Sequence, residues 1–303
     1  MPSLRGRFFR WLVQRSVTRG STYLKPLHVQ RQEMEANMSR IKPSRKVTVQ
    51  AVDCSGVPGE WIIPDACSGS RILLYCHGGG YYNGSLRTHR AFVANLAIIL
   101  KAKALHFAYR LAPEHPFPAG VDDSVSVYRW LVENTTDPGS IVVAGESAGG
   151  NLALTILLQA RTLGLPMPVS GVLLSPHLDF TFSGAAIQQN AESEILYTLE
   201  ELQWMRGIYL GDDKATDETW WRDERVSPLW ADLSGLPPIL VHADSTEMLR
   251  DDAVVLAERI RLAGGRVELK VWDGLFHAFQ LVSMIPEAKQ ALREIAAFAE
   301  NYW

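Results

Sequence analysis

A serine hydroxyl attacks a carbonyl only when a base takes its proton and donors hold the charge that forms on the carbonyl oxygen. The chain carries residues for each of these tasks. Ser147 stands in Gly145-Glu-Ser-Ala-Gly149, after the apolar run Ile141-Val-Val-Ala and before the helix-like Asn151-Leu-Ala-Leu-Thr-Ile-Leu-Leu158. A β-branched run turning through small residues into a helix is the setting in which Gly-x-Ser-x-Gly predicts a strained, exposed serine at a strand end. The free N–H groups and positive end of the following helix would then face the Ser147 hydroxyl. Glycine is expected at 145 and 149 because a Cβ at either position would meet the neighbouring strand or helix. His77-Gly78-Gly79-Gly80 offers bare N–H groups that can approach an oxyanion closely, and the N–H of Ala148 would complete the set. This loop lacks the Lys-Ser/Thr of a phosphate loop and the third spaced glycine of a dinucleotide fingerprint.

In the strand–turn–helix setting the acid and the base follow the serine in the chain. His177, His242 and His277 do so. His242 lies inside the apolar strand Ile239–Ala243, and His177 leaves no room for a preceding acid, whereas His277 follows the last strand in Trp272-Asp-Gly-Leu-Phe-His277. The base is therefore expected at His277. Either Asp244 or Glu247, just after Ile239–Ala243, can serve as the acid, and the two also form a capping-box pattern for the next helix. Residue pattern alone leaves them at parity.

The elements that must position these groups alternate. Strands are expected at Val47–Val52 and Glu60–Ile63 (a hairpin turning at Gly56–Gly59), Arg71–Cys76, Ala104–Ala108, Ile141–Ala144, Gly171–Ser175, Ile239–Ala243 and Val267–Trp272. Helices are expected from Thr88 to about Leu100, around Val121–Val132, after Ser147, from about Met248 to Ala263 and from Pro286. Alternation of this kind predicts an α/β fold with a mostly parallel sheet covered on both faces, the first hairpin making one edge antiparallel. Residues 1–45 and about 180–225 fall outside the alternation, look helical and are expected to sit together as a lid over the strand ends. That gives helical cap segments at 1–45 and about 180–225, and a catalytic domain over 46–303.

With 47% hydrophobic and 21% charged residues, the chain of 303 residues can build a large core and shows no composition of disorder. A net charge of −3 gives no footing for nucleic acid. Cys54, Cys67 and Cys76 make an odd set without metal-ligand spacing, which suggests a reducing, cytoplasmic compartment. Met1 to Gln32 holds arginines, Phe8, Phe9, Trp11, Leu12 and Val13 but no acid. Such a basic amphipathic helix can serve as a presequence or lie on a membrane surface. Packing on the protein's own body is the simpler expectation, and no stretch is long enough to insert stably across a membrane.

His77-Gly-Gly-Gly-Tyr-Tyr-Asn-Gly84, Tyr109-Arg-Leu-Ala-Pro-Glu114 with Pro116-Phe-Pro-Ala119, Gly145-Glu-Ser-Ala-Gly-Gly150 and Ser175-Pro-His-Leu-Asp179 occur in that order. Together they resemble the hormone-sensitive-lipase-like (bacterial family IV) esterases of the α/β-hydrolase fold over roughly residues 70–300, although that family more often has tryptophan where His177 stands. The resemblance implies a carboxylesterase for short to medium acyl chains that needs no metal or cofactor, and a small-molecule ester as its partner. It favours Glu247 as the acid, because Glu247-Met-Leu-Arg-Asp251 matches an Asp-Pro-Leu-x-Asp string with Glu for Asp and Met248 for Pro. It also implies Gly79 and Gly80 with Ala148 as oxyanion donors, and Gly78 as the turn residue. Tyr81 and Tyr82 are expected to line the substrate site, and the last strand to pair across a homodimer. An amidase, lactonase or deacetylase of this fold would share the triad. A non-catalytic small-molecule receptor would be expected to lack one of its members, and Ser147, Glu247 and His277 are all present.

Overall fold

The computed structural model describes residues 1–17, 19–135 and 137–303; Thr18 and Thr136 lie outside the described residues. Helix α1 (Leu4–Ser16), a 3-10 turn and α2 (Leu27–Met38) come first. Strands β1 (Val47–Cys54), β2 (Val57–Pro64) and β3 (Ile72–Cys76) follow, then α3 (Leu86–Leu100), β4 (Lys103–Phe107), α4 (Ala119–Asn134), β5 (Ile141–Glu146), α5 (Ala148–Thr162) and β6 (Ser170–Leu174). Short helices α6 (Ala186–Gln189), α8 (Asp212–Ala215) and α9 (Glu218–Trp221) surround the longer α7 (Leu199–Leu210). Strand β7 (Ile239–Asp244), α10 (Arg250–Leu262), β8 (Val267–Trp272) and α11 (Pro286–Glu300) close the chain.

The strands form one sheet in the order β1-β2-β4-β3-β5-β6-β7-β8. Strand β2 runs antiparallel to β1 and β4, and every pairing from β4 to β8 is parallel. Side chains of a strand alternate between faces, and both faces here are buried, so the central strands are apolar throughout. Leu74, Val143, Leu173 and Val241 pack on one side with α4, α5 and α10, while Leu73, Val142, Val172 and Leu240 pack on the other with α3 and α11. The first hairpin turns at Ser55-Gly56, both with positive φ, rather than at Gly56–Gly59. Those two left-handed residues let the strands run on longer than their apolar pattern suggested. Helix α3 starts at Leu86 instead of Thr88, because Ser85 caps it and Thr88 closes a reciprocal capping box.

Residues from the two ends of the expected lid touch each other. Backbone N–H groups of Gly20 and Thr22 donate to Glu201 at 3.1 Å, and the rings of Tyr23 and Trp204 lie 6.2 Å apart. Arg31 of α2 ties this layer to the loops below, donating to the carbonyls of Tyr82 and Ala112, each at 2.8 Å, and to the Glu114 carboxylate. Among the described residues, no helix is long and apolar enough to cross a membrane.

Candidate active site

Strand β5 delivers its last residues into a turn with no spare room. A Cβ on Gly145 would lie 2.1 Å from the Gly149 carbonyl oxygen, and one on Gly149 would lie 2.1 Å from that of Cys76. Between them Ser147 takes φ 55° and ψ −122°, a conformation costing a residue with a Cβ about 1–3 kcal/mol. Surrounding bonds hold it there. Ser147 N donates to Leu174 O at 2.9 Å, and His177 N donates to Ser147 O at 3.1 Å. Among the described residues the Ser147 hydroxyl has no hydrogen-bond partner, and it opens on a cavity of 420 Å³.

His277 reaches the same cavity from the loop after β8. Its Nδ1 lies 2.9 Å from Glu247 Oε2; a carboxylate only accepts, so Nδ1 carries the proton and Nε2 is left as the basic nitrogen. The other carboxylate oxygen of Glu247 accepts from Ser175 Oγ at 2.6 Å and from Asp244 N at 2.7 Å. Glu247 is fully buried, and both its oxygens are thus committed. Among the described residues Asp244 makes no bond to the imidazole; it accepts from Thr246 N at 3.0 Å and from Leu275 N at 2.8 Å. The expected capping box is half present, as the bond from Asp244 N to Glu247, but α10 begins only at Arg250. Burial alone would lower the His277 pKa; the Glu247 charge, with Glu194 and Glu146 behind it, outweighs burial and holds it above the ordinary imidazole value.

The glycine loop leaves donors free for the space beside Ser147. Gly78 N is used, donating to Glu146, whose carboxylate also accepts from Tyr75 and lies 2.9 Å from His89 Nε2. No described residue accepts from the N–H groups of Gly79, Gly80 or Ala148, and Gly79 and Gly80 both line the cavity. Gly79 has φ 113°, and a Cβ there would meet Asn83 O at 2.3 Å, so only glycine fits. Unpaired donors on a loop that shares the serine's cavity, with another on the residue after the serine, are suited to a tetrahedral oxyanion.

Other expected residues divide. Tyr82 lines the cavity, against Trp204. Tyr81 does not: its ring is buried and stacked 3.8 Å from that of Tyr209, because a positive φ of 65° turns it into the core. His77 is a brace, stacked between Tyr109 and His89, with burial holding its pKa well below the usual value. His177 does line the cavity, but it stacks on Phe180, and burial keeps it neutral with a pKa of about 3. His242 stays inside β7, burial lowering its pKa to about 4.

Tyr197 and Glu194 carried no local signal of their positions at this site, and Ser175 only its place in a motif. Ser175 also accepts from Ala278 N at 3.1 Å, fastening the His277 loop to the Glu247 carboxylate. The Tyr197 hydroxyl lies 3.1 Å from His277 Nδ1, and burial together with Glu194 and Glu247 keeps it protonated. Glu194 receives the N–H groups of Ile195 and Leu196 at 2.9 Å. Only the Ser175–Asp179 motif hinted at any of these. Around the polar centre the wall is apolar, with Met34, Met38, Leu196, Leu202, Trp204, Met205 and Phe276 among its residues. Among the described residues, no cluster of His, Cys, Asp and Glu could hold a metal ion.

Residues 73–281 match the family described as the alpha/beta hydrolase fold. The chain is 38% identical over 256 residues to an esterase of Acinetobacter venetianus, covering 84% of this chain and 82% of that protein. It is also 38% identical over 240 residues to an acetyl-hydrolase of Streptomyces hygroscopicus, covering 79% and 78%. Among solved structures, an esterase of the bacterial hormone-sensitive lipase family superposes with a TM-score of 0.91 at 34% identity, over 100% of this chain and 99% of that one. EstE5, in crystals soaked with p-nitrophenyl butyrate, superposes at 0.92 with 34% identity over 99% of each chain.

Proposed function

The chain belongs to the α/β-hydrolase fold family, in its branch of hormone-sensitive-lipase-like esterases, and from that premise we propose that Ser147, His277 and Glu247 hydrolyse carboxylic esters of short to medium acyl chains through a covalent acyl-enzyme. The observation that carries this reading is His277, held 2.9 Å from the buried Glu247, on the wall of the cavity that Ser147 shares with Gly79 and Gly80, whose N–H groups no described residue accepts.

Ser147 Oγ attacks the ester carbonyl as His277 Nε2 takes its proton. Glu247 keeps the imidazole in the required tautomer and offsets its positive charge. The N–H groups of Gly79, Gly80 and Ala148 receive the oxyanion, each contributing about 3–4 kcal/mol to the transition state. His277 then protonates the leaving alcohol, and water, activated by the same nitrogen, releases the acid. The apolar wall takes the acyl chain, with Tyr82 as a contact. Residues 1–45 and about 180–225 act as the cap over the catalytic body at 46–303.

Hydrolysis of p-nitrophenyl esters from acetate to palmitate, by the wild type and Ser147→Ala, tests the reading. Turnover that favours short to medium chains and falls about 10⁵–10⁶-fold in the variant is expected. Turnover that survives the substitution would overturn it. Two assignments accompany it. The outer edge of β8, which among the described residues is bonded only to β7, pairs with a second copy, which sedimentation would detect as a dimer. The three free cysteines support a reducing, cytoplasmic setting, which fractionation of cells would test.

A further inference from the structure

Helix α1 carries apolar side chains on two faces, and the protein covers only one. On the covered face Phe9 and Val13 pack against the cluster of Trp272, Leu275, Phe276 and Phe279. Arg10 pins that face by donating to the carbonyls of Leu275 and Ser193. The opposite face leaves Leu4 77%, Phe8 55%, Trp11 47% and Leu12 42% exposed. At helical spacing these four lie within one arc of about 100°, with Arg15 inside the arc and Arg5 and Arg7 on its two flanks. The Arg15 guanidinium lies 4.6 Å over the Trp11 ring, which stacks on Phe8 at 5.9 Å.

A contiguous row of large apolar side chains left in water marks a contact surface. Charge says what kind. No Asp or Glu precedes Glu33, and the acids touching the start of the helix, Asp273 and Glu287, are engaged by the Met1 ammonium and by Ser3. A second copy placed face to face would set arginines against arginines, whereas a sheet of phosphates would meet them with opposite charge. Val13, on the covered face, lines the active-site cavity, so the exposed row lies on the same helix that helps to wall the site.

We propose that the exposed face of α1 docks the protein on an anionic phospholipid surface. Leu4, Phe8, Trp11 and Leu12 enter the headgroup–acyl boundary, and Arg5, Arg7 and Arg15 lie against the phosphates. The helix rests in the interface plane and spans nothing, as aromatic and arginine-bearing amphipathic helices do. Docking of this kind does not depend on the ester chemistry.

Co-sedimentation with vesicles of phosphatidylcholine alone, and of phosphatidylcholine mixed with equal phosphatidylglycerol, tests it. Wild-type protein is expected to bind the mixed vesicles and to be released by salt. Arg5→Glu/Arg7→Glu is expected to weaken partition by at least about 25-fold, about fivefold for each arginine. Phe8→Ser/Trp11→Ser is expected to abolish binding, both variants keeping the wild-type unfolding midpoint because these side chains face solvent. Absence of binding to either vesicle, or binding that both variants retain, would overturn the proposal. So would a wild-type dimer that Phe8→Ser/Trp11→Ser dissociates, which would assign the face to a second copy.

Discussion

Replacing Glu247 with glutamine removes one charge, and the structure dictates which way the amide must lie. Two donors, Ser175 Oγ at 2.6 Å and Asp244 N at 2.7 Å, converge on one carboxylate oxygen, while His277 Nδ1 alone meets the other. Turning the NH2 toward Ser175 and Asp244 would oppose two buried donors, each left unsatisfied at about 1–3 kcal/mol. The amide oxygen therefore stays with them, and the NH2 faces Nδ1. Nδ1 must then accept, the proton moves to Nε2, and the nitrogen intended for Ser147 can no longer take one. A wrong tautomer of this kind in a serine triad costs about 10⁴-fold, or about 5.5 kcal/mol of barrier. A second signature follows from charge. Because Glu247 is what lifts the His277 pKa against burial, the wild-type acid limb of kcat/KM should lie above the ordinary imidazole value of about 6.5. Activity rises as pH rises through that limb, and Glu247→Gln should move it to lower pH. Asp244→Asn is the control: Asp244 serves Thr246 and Leu275, so kcat/KM should stay within about tenfold while stability falls by about 1–3 kcal/mol. The assay is kcat/KM for p-nitrophenyl butyrate across pH, with circular dichroism to verify folding. Equal losses in the two variants, or an unmoved acid limb in Glu247→Gln, would refute the assignment.

Gly79→Ala should lower kcat by at least about 10²-fold, since its Cβ would push Asn83 and rotate an oxyanion donor away; rate and unfolding midpoint together report this. Along a series of p-nitrophenyl esters, each added acyl methylene should raise kcat/KM about fourfold, from about 0.8 kcal/mol of burial, until the cavity of 420 Å³ is full. An unbroken rise to palmitate would contradict a bounded site. Arg31→Ala should raise KM and cost about 1–3 kcal/mol of stability, because the Tyr82 and Ala112 carbonyls lose their donor; substrate saturation curves and denaturant titration measure the two effects.

What the sequence disclosed was whatever is encoded locally. The tight turn at Ser147 and the glycine loop were legible because such turns constrain consecutive residues, and the central strands because burial on both faces leaves them continuously apolar. His277 followed from its place after the last strand. The choice between Asp244 and Glu247 was not local. Both leave the same strand end, and what separates them is the 2.9 Å contact with a side chain thirty positions away, which residue pattern cannot encode. The bonds of Ser175, and the presence of Tyr197 and Glu194 at this site, were hidden for the same reason, each acting through partners brought near only by the folded sheet and the segment above it. Tyr81 shows the reverse: it stands beside the glycine loop, but its backbone turns its ring into the core. Helix α1 was expected to pack on the body, which its Phe9 face does; its aromatic residues and arginines also allowed the alternative of a helix lying on a membrane surface, and what the sequence could not give was which residues face outward.

The crowding around Ser147 also decides where this protein can vary. Any side chain added at 145 or 149 would run into a backbone oxygen about 2 Å away, so Ser147 cannot be re-aimed by small steps. The apolar wall of the cavity is built differently, from Met34, Met38 and Met205, unbranched side chains that can change rotamer, along with Leu196 and Trp204. Mutational exploration therefore has one rigid pole and one pliable one. Libraries that search for new acyl or alcohol preferences should yield functional variants at the methionine wall and almost none at the serine turn, so that selectivity drifts while the reaction stays fixed.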